Sequence, residues 1–336
     1  MKPATLFLAA AALLLASTAP AAPATPHRLY AALAMTKAQI NTSVPSDSGV
    51  YVRQADGAWK IFGPRVLGIN SLAVQPGSHG KVILIASADG VVRSTDGGKT
   101  WRLTTGWEVI DVRSFAYNPA NPGEVYASTC WGPLRSTNGG ATWELAQTGL
   151  NLLYGQTLVA DTQTPGRVLL GTEDGIYLSN DGAKTWARTA SPPTLALRLA
   201  QSAADPKLLL MGSQGRGAWL SHDSGVTWTQ TDPGSDRADL YAVALDPHRA
   251  DRLAVGGWGV GVRVSADGGK TWTDRSAGLP NRNIFVLAFD PDQTDRLWAS
   301  TLEDGTFYSD DLGATWKSGG LDGAYGLDFV FVPVER

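Results

Sequence analysis

Short apolar runs alternate along this chain with clusters of Gly, Pro, Asp and Ser, and the alternation is itself periodic. One unit gives Ser71–Val74, Val82–Ala86, Gly90–Ser94 and Thr100–Leu103. The next gives Ser114–Tyr117, Val125–Ser128, Leu134–Ser136 and Thr142–Leu145, and a later one Ala242–Leu245, Leu253–Val255, Val260–Ser265 and Thr271–Thr273. Runs of four to six residues rich in Val, Leu, Tyr and Trp, bounded by turn residues, predict β-strands. No helix-length 3.6 periodicity follows the N-terminal segment. The turns are in register as well: five residues separate Pro76, Pro119, Thr162, Ala203, Pro247 and Pro291 from the next strand each time.

Between the third and fourth run of each unit stands the phrase Ser-x-Asp-x-Gly-x-Thr-Trp. It begins at Ser94, Ser136, Ser179, Ser221, Ser265 and Ser309, giving steps of 42, 43, 42, 44 and 44 residues. A worn copy, QADGAW, ends at Trp59, again 42 residues before Trp101. Four antiparallel strands per ~40–45 residues make a propeller blade. Six full units and the worn one make seven. The first unit has only three strands, Arg28–Leu33, Val50–Arg53 and Ala58–Ile61. Its missing inner strand is found in Gly326–Pro333, which matches Asn70–Pro76 in pattern. The expected fold is therefore all-β: a seven-bladed β-propeller of four-stranded blades over residues 27–336, closed by the C-terminal strand joining the first blade. Length alone would suggest about two domains; the repeat overrides it.

Each part of the phrase has a structural task. Its Gly fits a backbone with φ > 0, its Asp accepts N–H groups across the turn, and its Trp starts the outer strand and buries an indole between neighbouring sheets. Asp96, Trp101, Asn138, Trp143, Asp181, Trp186, Asp223, Trp228, Asp267, Trp272, Asp311 and Trp316 are assigned to this role. Calcium takes 6–8 oxygen ligands, whereas each phrase offers one regular carboxylate and the second copy offers Asn138. No metal and no cofactor is expected.

The ends and the charge add localisation and exclusions. Lys2, the apolar Leu6–Ala16 and the small-residue site Ala19-Pro20-Ala21 read as a secretory signal peptide over residues 1–21, so the protein is expected to be exported, periplasmic or secreted. The apolar stretch is shorter than the ~20 residues of a membrane span. Cys130 is the one cysteine, which excludes an intramolecular disulfide. A net charge of −3 with scattered Lys and Arg argues against nucleic-acid binding. His27, His79, His222 and His248 stand singly, without metal-ligand spacing.

If the phrases mark one rim, the loops where the repeats disagree mark the other, and loops on a rigid scaffold carry function. Ala34–Gly49 is far longer than its equivalents and is either functional or disordered. Trp107, Trp131 and Trp258 lie in these loops; they suit a sugar ring or a protein hot spot, or pack against their own blades. Trp219 and Trp298 fall in strands and are assigned to the core. Arg65, Arg113, Arg198, Arg216 and Arg282 gather on or near this rim, where they would recognise an anionic surface or stay solvated. Glu173-Asp174 and Glu303-Asp304 precede Gly in equivalent loops of blades four and seven. Asp-Gly there is ordinary turn chemistry, and those blades face each other across the channel, too far apart for one glycosidic bond.

The phrase is the Asp-box, or bacterial neuraminidase repeat, and on it the chain resembles sialidases and other propeller glycosidases, sortilin-type receptors, and most of all the photosystem II stability/assembly factor family. The resemblance implies the propeller fold and, for the last group, a binding platform rather than a catalyst. The sialidase entry motif Arg-Ile-Pro is absent; Gly63-Pro64-Arg65-Val66 is a loose echo. The expected function is thus a non-enzymatic, monomeric propeller with a protein partner, the alternative being a glycoside hydrolase or glycan-binding protein.

Overall fold

The computed structural model describes residues 26–34, 47–65, 68–231, 233–234 and 237–334. The expected signal peptide and most of the long Ala34–Gly49 loop lie outside them. Among the described residues the apolar runs form seven antiparallel sheets of four strands each, and no helix. The inner strands touch one another in succession, from Ser71–Val74 through Val112–Asn118, Gly155–Ala160, Ala196–Gln201, Ala242–Leu245 and Ile284–Phe289 to Gly326–Pro333, which returns to Ser71–Val74. The chain is a closed seven-bladed β-propeller.

Closure uses the C-terminal strand as the sequence pattern requires. Gly326–Pro333 pairs antiparallel with His27–Leu33, with Leu33 opposite Gly326 and His27 opposite Pro333, and so becomes the inner strand of blade one beside His27–Leu33, Gly49–Arg53 and Trp59–Phe62. Pairing of this kind removes the open edges that an unclosed ring would expose.

Burial explains the runs. Second strands such as Ile83–Ser87, Val168–Thr172 and Leu297–Thr301 are buried throughout, because neighbouring blades cover both of their faces. Apolar side chains from adjacent sheets meet in shared clusters: Leu84, Ala86 and Val91 of blade two pack with Val125, Ala127 and Leu134 of blade three. Each such valine or leucine contributes about 1.5–3 kcal/mol by leaving water. One expectation needs correction. The outer strands begin after the box tryptophan, as at Arg102–Leu103 and Glu144–Leu145, and not at the Thr-Trp pair. The reason is local: the backbone and hydroxyl of the box threonine are already bonded within the turn.

Candidate functional site

The Asp-box defines one rim. In blade two the Ser94 hydroxyl accepts the Gly98 N–H (2.9 Å) and donates to Asp96 Oδ1 (2.8 Å). Oδ1 also accepts the N–H groups of Lys99 (3.0 Å) and Thr100 (2.9 Å), while Oδ2 accepts the Thr100 hydroxyl at 2.6 Å. That hydroxyl, followed by the Thr100 amide, holds the Asp96 carboxyl down at about 2. Asp181, Asp267 and Asp311 are likewise held at about 2, each first by its own box threonine hydroxyl. Asn138 keeps the geometry without charge: its Oδ1 accepts the Ala141 and Thr142 N–H groups, and its Nδ2 donates to the Thr142 hydroxyl. The side-chain oxygens are thus spent on their own turns.

Four of the six regular box tryptophans then reach back to the preceding blade. The indole N–H of Trp143 donates to the Thr104 hydroxyl (3.1 Å), of Trp186 to the Ala146 carbonyl (2.7 Å), of Trp272 to the Thr231 hydroxyl (2.9 Å) and of Trp316 to the Arg275 carbonyl (2.7 Å). Even the worn box does this, with Trp59 donating to Gly319 across the seam of the ring. Trp101 and Trp228 bond within their own boxes instead, to Gly98 and Gly225. All six regular box indoles pack on the clusters between sheets.

Two hydrogen bonds fix which loops share a rim. The Gly97 N–H reaches Lys81 O, placing the boxes beside the turns between first and second strands. The Asp111 N–H reaches Ala88 O, placing the interblade linkers beside the turns between second and third strands. The second group forms the loop rim, and it carries the exposed aromatics: Trp107 is 89% exposed, Trp131 and Trp258 55% each. Trp107 and Trp131 belong to the blade-two linker and blade three, whereas Trp258 belongs to blade six. Blades three and six are three steps apart in the ring, so the three indoles do not form one patch.

Trp258 instead heads an aromatic shelf absent from the sequence expectations. It stands edge-on to Phe285 (6.4 Å between centroids, 89°), Phe285 stacks on Tyr241 (5.3 Å, 24°), and Tyr325 lies 5.7 Å from Phe285. The shelf has a register origin. Inner strands carry a bulge near their loop-rim end, which leaves Arg113, Gln156, Leu197, Phe285 and Leu327 without a paired residue opposite. These residues lie six positions before Pro119, Thr162, Ala203, Pro291 and Pro333; the same offset from Pro76 and Pro247 gives Asn70 and Tyr241. Bulges re-aim side chains at sheet ends, and the equivalent position in blade two, which has no bulge, links neighbouring blades: Asn70 Nδ2 donates to Val112 O at 2.7 Å. The ring is aromatic on blades six and seven and polar on blades two to four.

Four of the five singled-out arginines are paired. Arg65 bonds Asp47 (2.8 Å), Arg113 bonds Asp111, and Arg282 bonds Asp274 (2.8 Å). Arg198 corrects the rim expectation. It extends from the inner strand of blade five to Asp328 on the closing strand of blade one, whose other oxygen accepts the Ser71 hydroxyl of blade two at 2.5 Å. Blades five and one are three steps apart, so this pair crosses the ring. Arg216 is the exception, with no carboxylate partner among the described residues. Trp298 is buried as expected, and Trp219, half-buried, packs against the core cluster between blades four and five while also lining an open cleft. Near the carboxylate candidates, Asp174 accepts the Thr172 and Tyr177 hydroxyls, and Asp304 accepts Asn281 Nδ2 at 2.5 Å.

Comparison with known proteins agrees with this architecture. The BNR/Asp-box repeat family matches residues 92–103, and the family described as sortilin, neurotensin receptor 3, matches residues 216–329. No curated protein matches. Among solved structures, the GH74 enzyme of Niastella koreensis superposes with a TM-score of 0.69 at 21% identity, over 80% of this chain and 50% of its own. This chain therefore spans about half the length of that enzyme. YCF48 bound to D1 peptide gives 0.60 at 19% identity over 76% of this chain and 83% of its own. YCF48 from Cyanidioschyzon merolae gives 0.58 at 16% over 77% and 87%. At these identities the likeness is one of fold.

Proposed function

We propose that the protein is an exported, non-catalytic propeller that captures another protein through its loop rim. The observation that carries this reading is the exposure of large aromatic side chains there, above all Trp258 on its shelf of Phe285, Tyr241 and Tyr325. Trp and Tyr in such positions dominate the binding energy of protein interfaces. YCF48, a propeller of similar extent, is seen bound to a peptide, which lends support without naming a partner for this chain.

The test begins with a photo-crosslinker at Trp258 to identify the partner, followed by titration calorimetry. Trp258→Ala is expected to weaken binding by about 2 kcal/mol or more, and the Trp107→Ala, Trp131→Ala, Trp258→Ala triple variant to abolish it with the fold intact. Undiminished affinity of the triple variant rejects the site. The likeness to GH74 propellers favours a second reading, a carbohydrate-active protein. Turnover of aryl glycosides that is lost on Glu173→Gln or Glu303→Gln would establish that reading instead.

A further inference from the structure

Arg216 is the arginine of the rim set that has no acidic partner among the described residues, and its surroundings are organised. It occupies the turn after Leu209–Ser213 in blade five. Its carbonyl accepts both the Trp219 indole N–H (3.0 Å) and Gln230 Nε2 (3.1 Å), which fixes the turn against the third and outer strands. The linker to blade six brings Arg237 alongside, where the Gly217 N–H meets Ala238 O. Gly215, Arg216, Trp219, Gln230 and Arg237 line an open cleft of about 350 Å³, within the ~300–1,000 Å³ range of small-ligand sites.

The charge of this cleft runs against that of the molecule. The chain carries −3 overall, yet among the described residues the cleft lining holds two guanidinium groups and no carboxylate; Asp239 reaches its edge, where Oδ1 accepts the Gly215 N–H at 2.8 Å. Among the described residues neither Arg216 nor Arg237 has an ion-pair partner, whereas ion pairs occupy most of the other arginines on this rim. Two planar forks suit an oxyanion of carboxylate or sulfate geometry. Trp219 in the same lining offers the part of its indole that the core cluster leaves uncovered, a flat apolar surface.

We infer that this cleft binds an acidic sugar residue, a uronate or a sulfated pyranose, with the acid on Arg216 and Arg237 and a C–H face of the ring on Trp219. An aspartate or glutamate side chain would engage the arginines but leave the indole uncovered, so an acidic peptide matches only half of the site. The site lies on the outer flank of blade five and does not depend on the aromatic shelf.

Calorimetry on the full chain with four probes tests it: tetragalacturonate, a heparin-derived tetrasaccharide, neutral maltotetraose and tetraglutamate. Binding of either acidic saccharide is expected, with no binding of the other two; which acid binds tells carboxylate from sulfate. Arg216→Gln and Arg237→Gln should each weaken it roughly tenfold, and Arg216→Lys should fall between, since it keeps the charge and loses the fork. Both arginines are exposed, so the melting temperature should not move. Failure of both acidic saccharides overturns the inference, as does their binding unaltered by these substitutions. Equal affinity for maltotetraose would reduce the cleft to an indole platform, and equal affinity for tetraglutamate would make it an acidic-peptide site; either result also overturns it.

Discussion

At Asn138 the repeat exchanges its carboxylate for an amide and keeps the turn: the oxygen still takes two backbone N–H groups and the threonine bond reverses direction. The box therefore needs an acceptor at this position, and charge adds to it only where the threonine hydroxyl donates. That has a pH consequence with a definite sign. Asp96, Asp181, Asp267 and Asp311 are held at about 2 in the folded chain, below the ~3.9 of an unfolded aspartate. Their contribution is complete above the unfolded value and is lost as pH falls toward 2. A variant with Asn at all four positions should lose less melting temperature between about pH 5 and pH 2 than the parent; parallel curves would contradict this. Trp143→Ala tests the other half of the box. Its indole packs between blades two and three and bonds Thr104, so its loss should lower stability by about 3 kcal/mol in a denaturant titration. The box residues were legible because the phrase recurs. Tyr241, Phe285 and Tyr325 were not, since each looks like an ordinary apolar position until the fold brings them together, Phe285 from a bulge and the two tyrosines from just before their strands. The constant six-residue offset from the turn was the signal that could have found two of them.

The strands show the same division between what recurs and what does not. Second strands read directly as unbroken apolar runs because both faces are covered. Outer strands were placed early by two residues, because Thr and Trp look β-forming while the threonine is bonded within the box and most of the indoles bond to the preceding blade. The closing strand was legible from its match to Asn70–Pro76, and its removal is the sharpest test at this scale. Deleting Leu327–Arg336 takes away most of the partner of His27–Leu33 and leaves that strand as an unpaired edge facing the channel. Exposed edges template intermolecular pairing, so the deletion should drive the protein into aggregates in sedimentation or light scattering. A monomeric deletion variant with an unchanged melting point would contradict the closure.

Across the whole molecule, ring closure is reinforced by a contact that no local pattern reveals. Arg198 and Asp328 are 130 residues apart in the chain, lie on blades three steps apart, and meet only once the ring exists. Asp328 is buried, with one oxygen given to Arg198 and the other to Ser71. The strut thus joins blades five, one and two, and it fastens the strand on which closure depends. Arg198→Met would leave a buried carboxylate with Ser71 alone, at a cost of about 1–3 kcal/mol. Asp328→Asn should cost less, because an amide still accepts from Arg198 while removing the stranded charge. The location of the effect discriminates a strut from a generic stabilising pair. Local openings follow the contacts that hold each segment, so hydrogen exchange in Arg198→Met should accelerate first in Gly326–Pro333 and its partner His27–Leu33, while the second strand of blade three keeps its protection. Uniform acceleration around the ring would mean that closure is held by strand pairing alone, and that the charge pair across the channel contributes only to global stability.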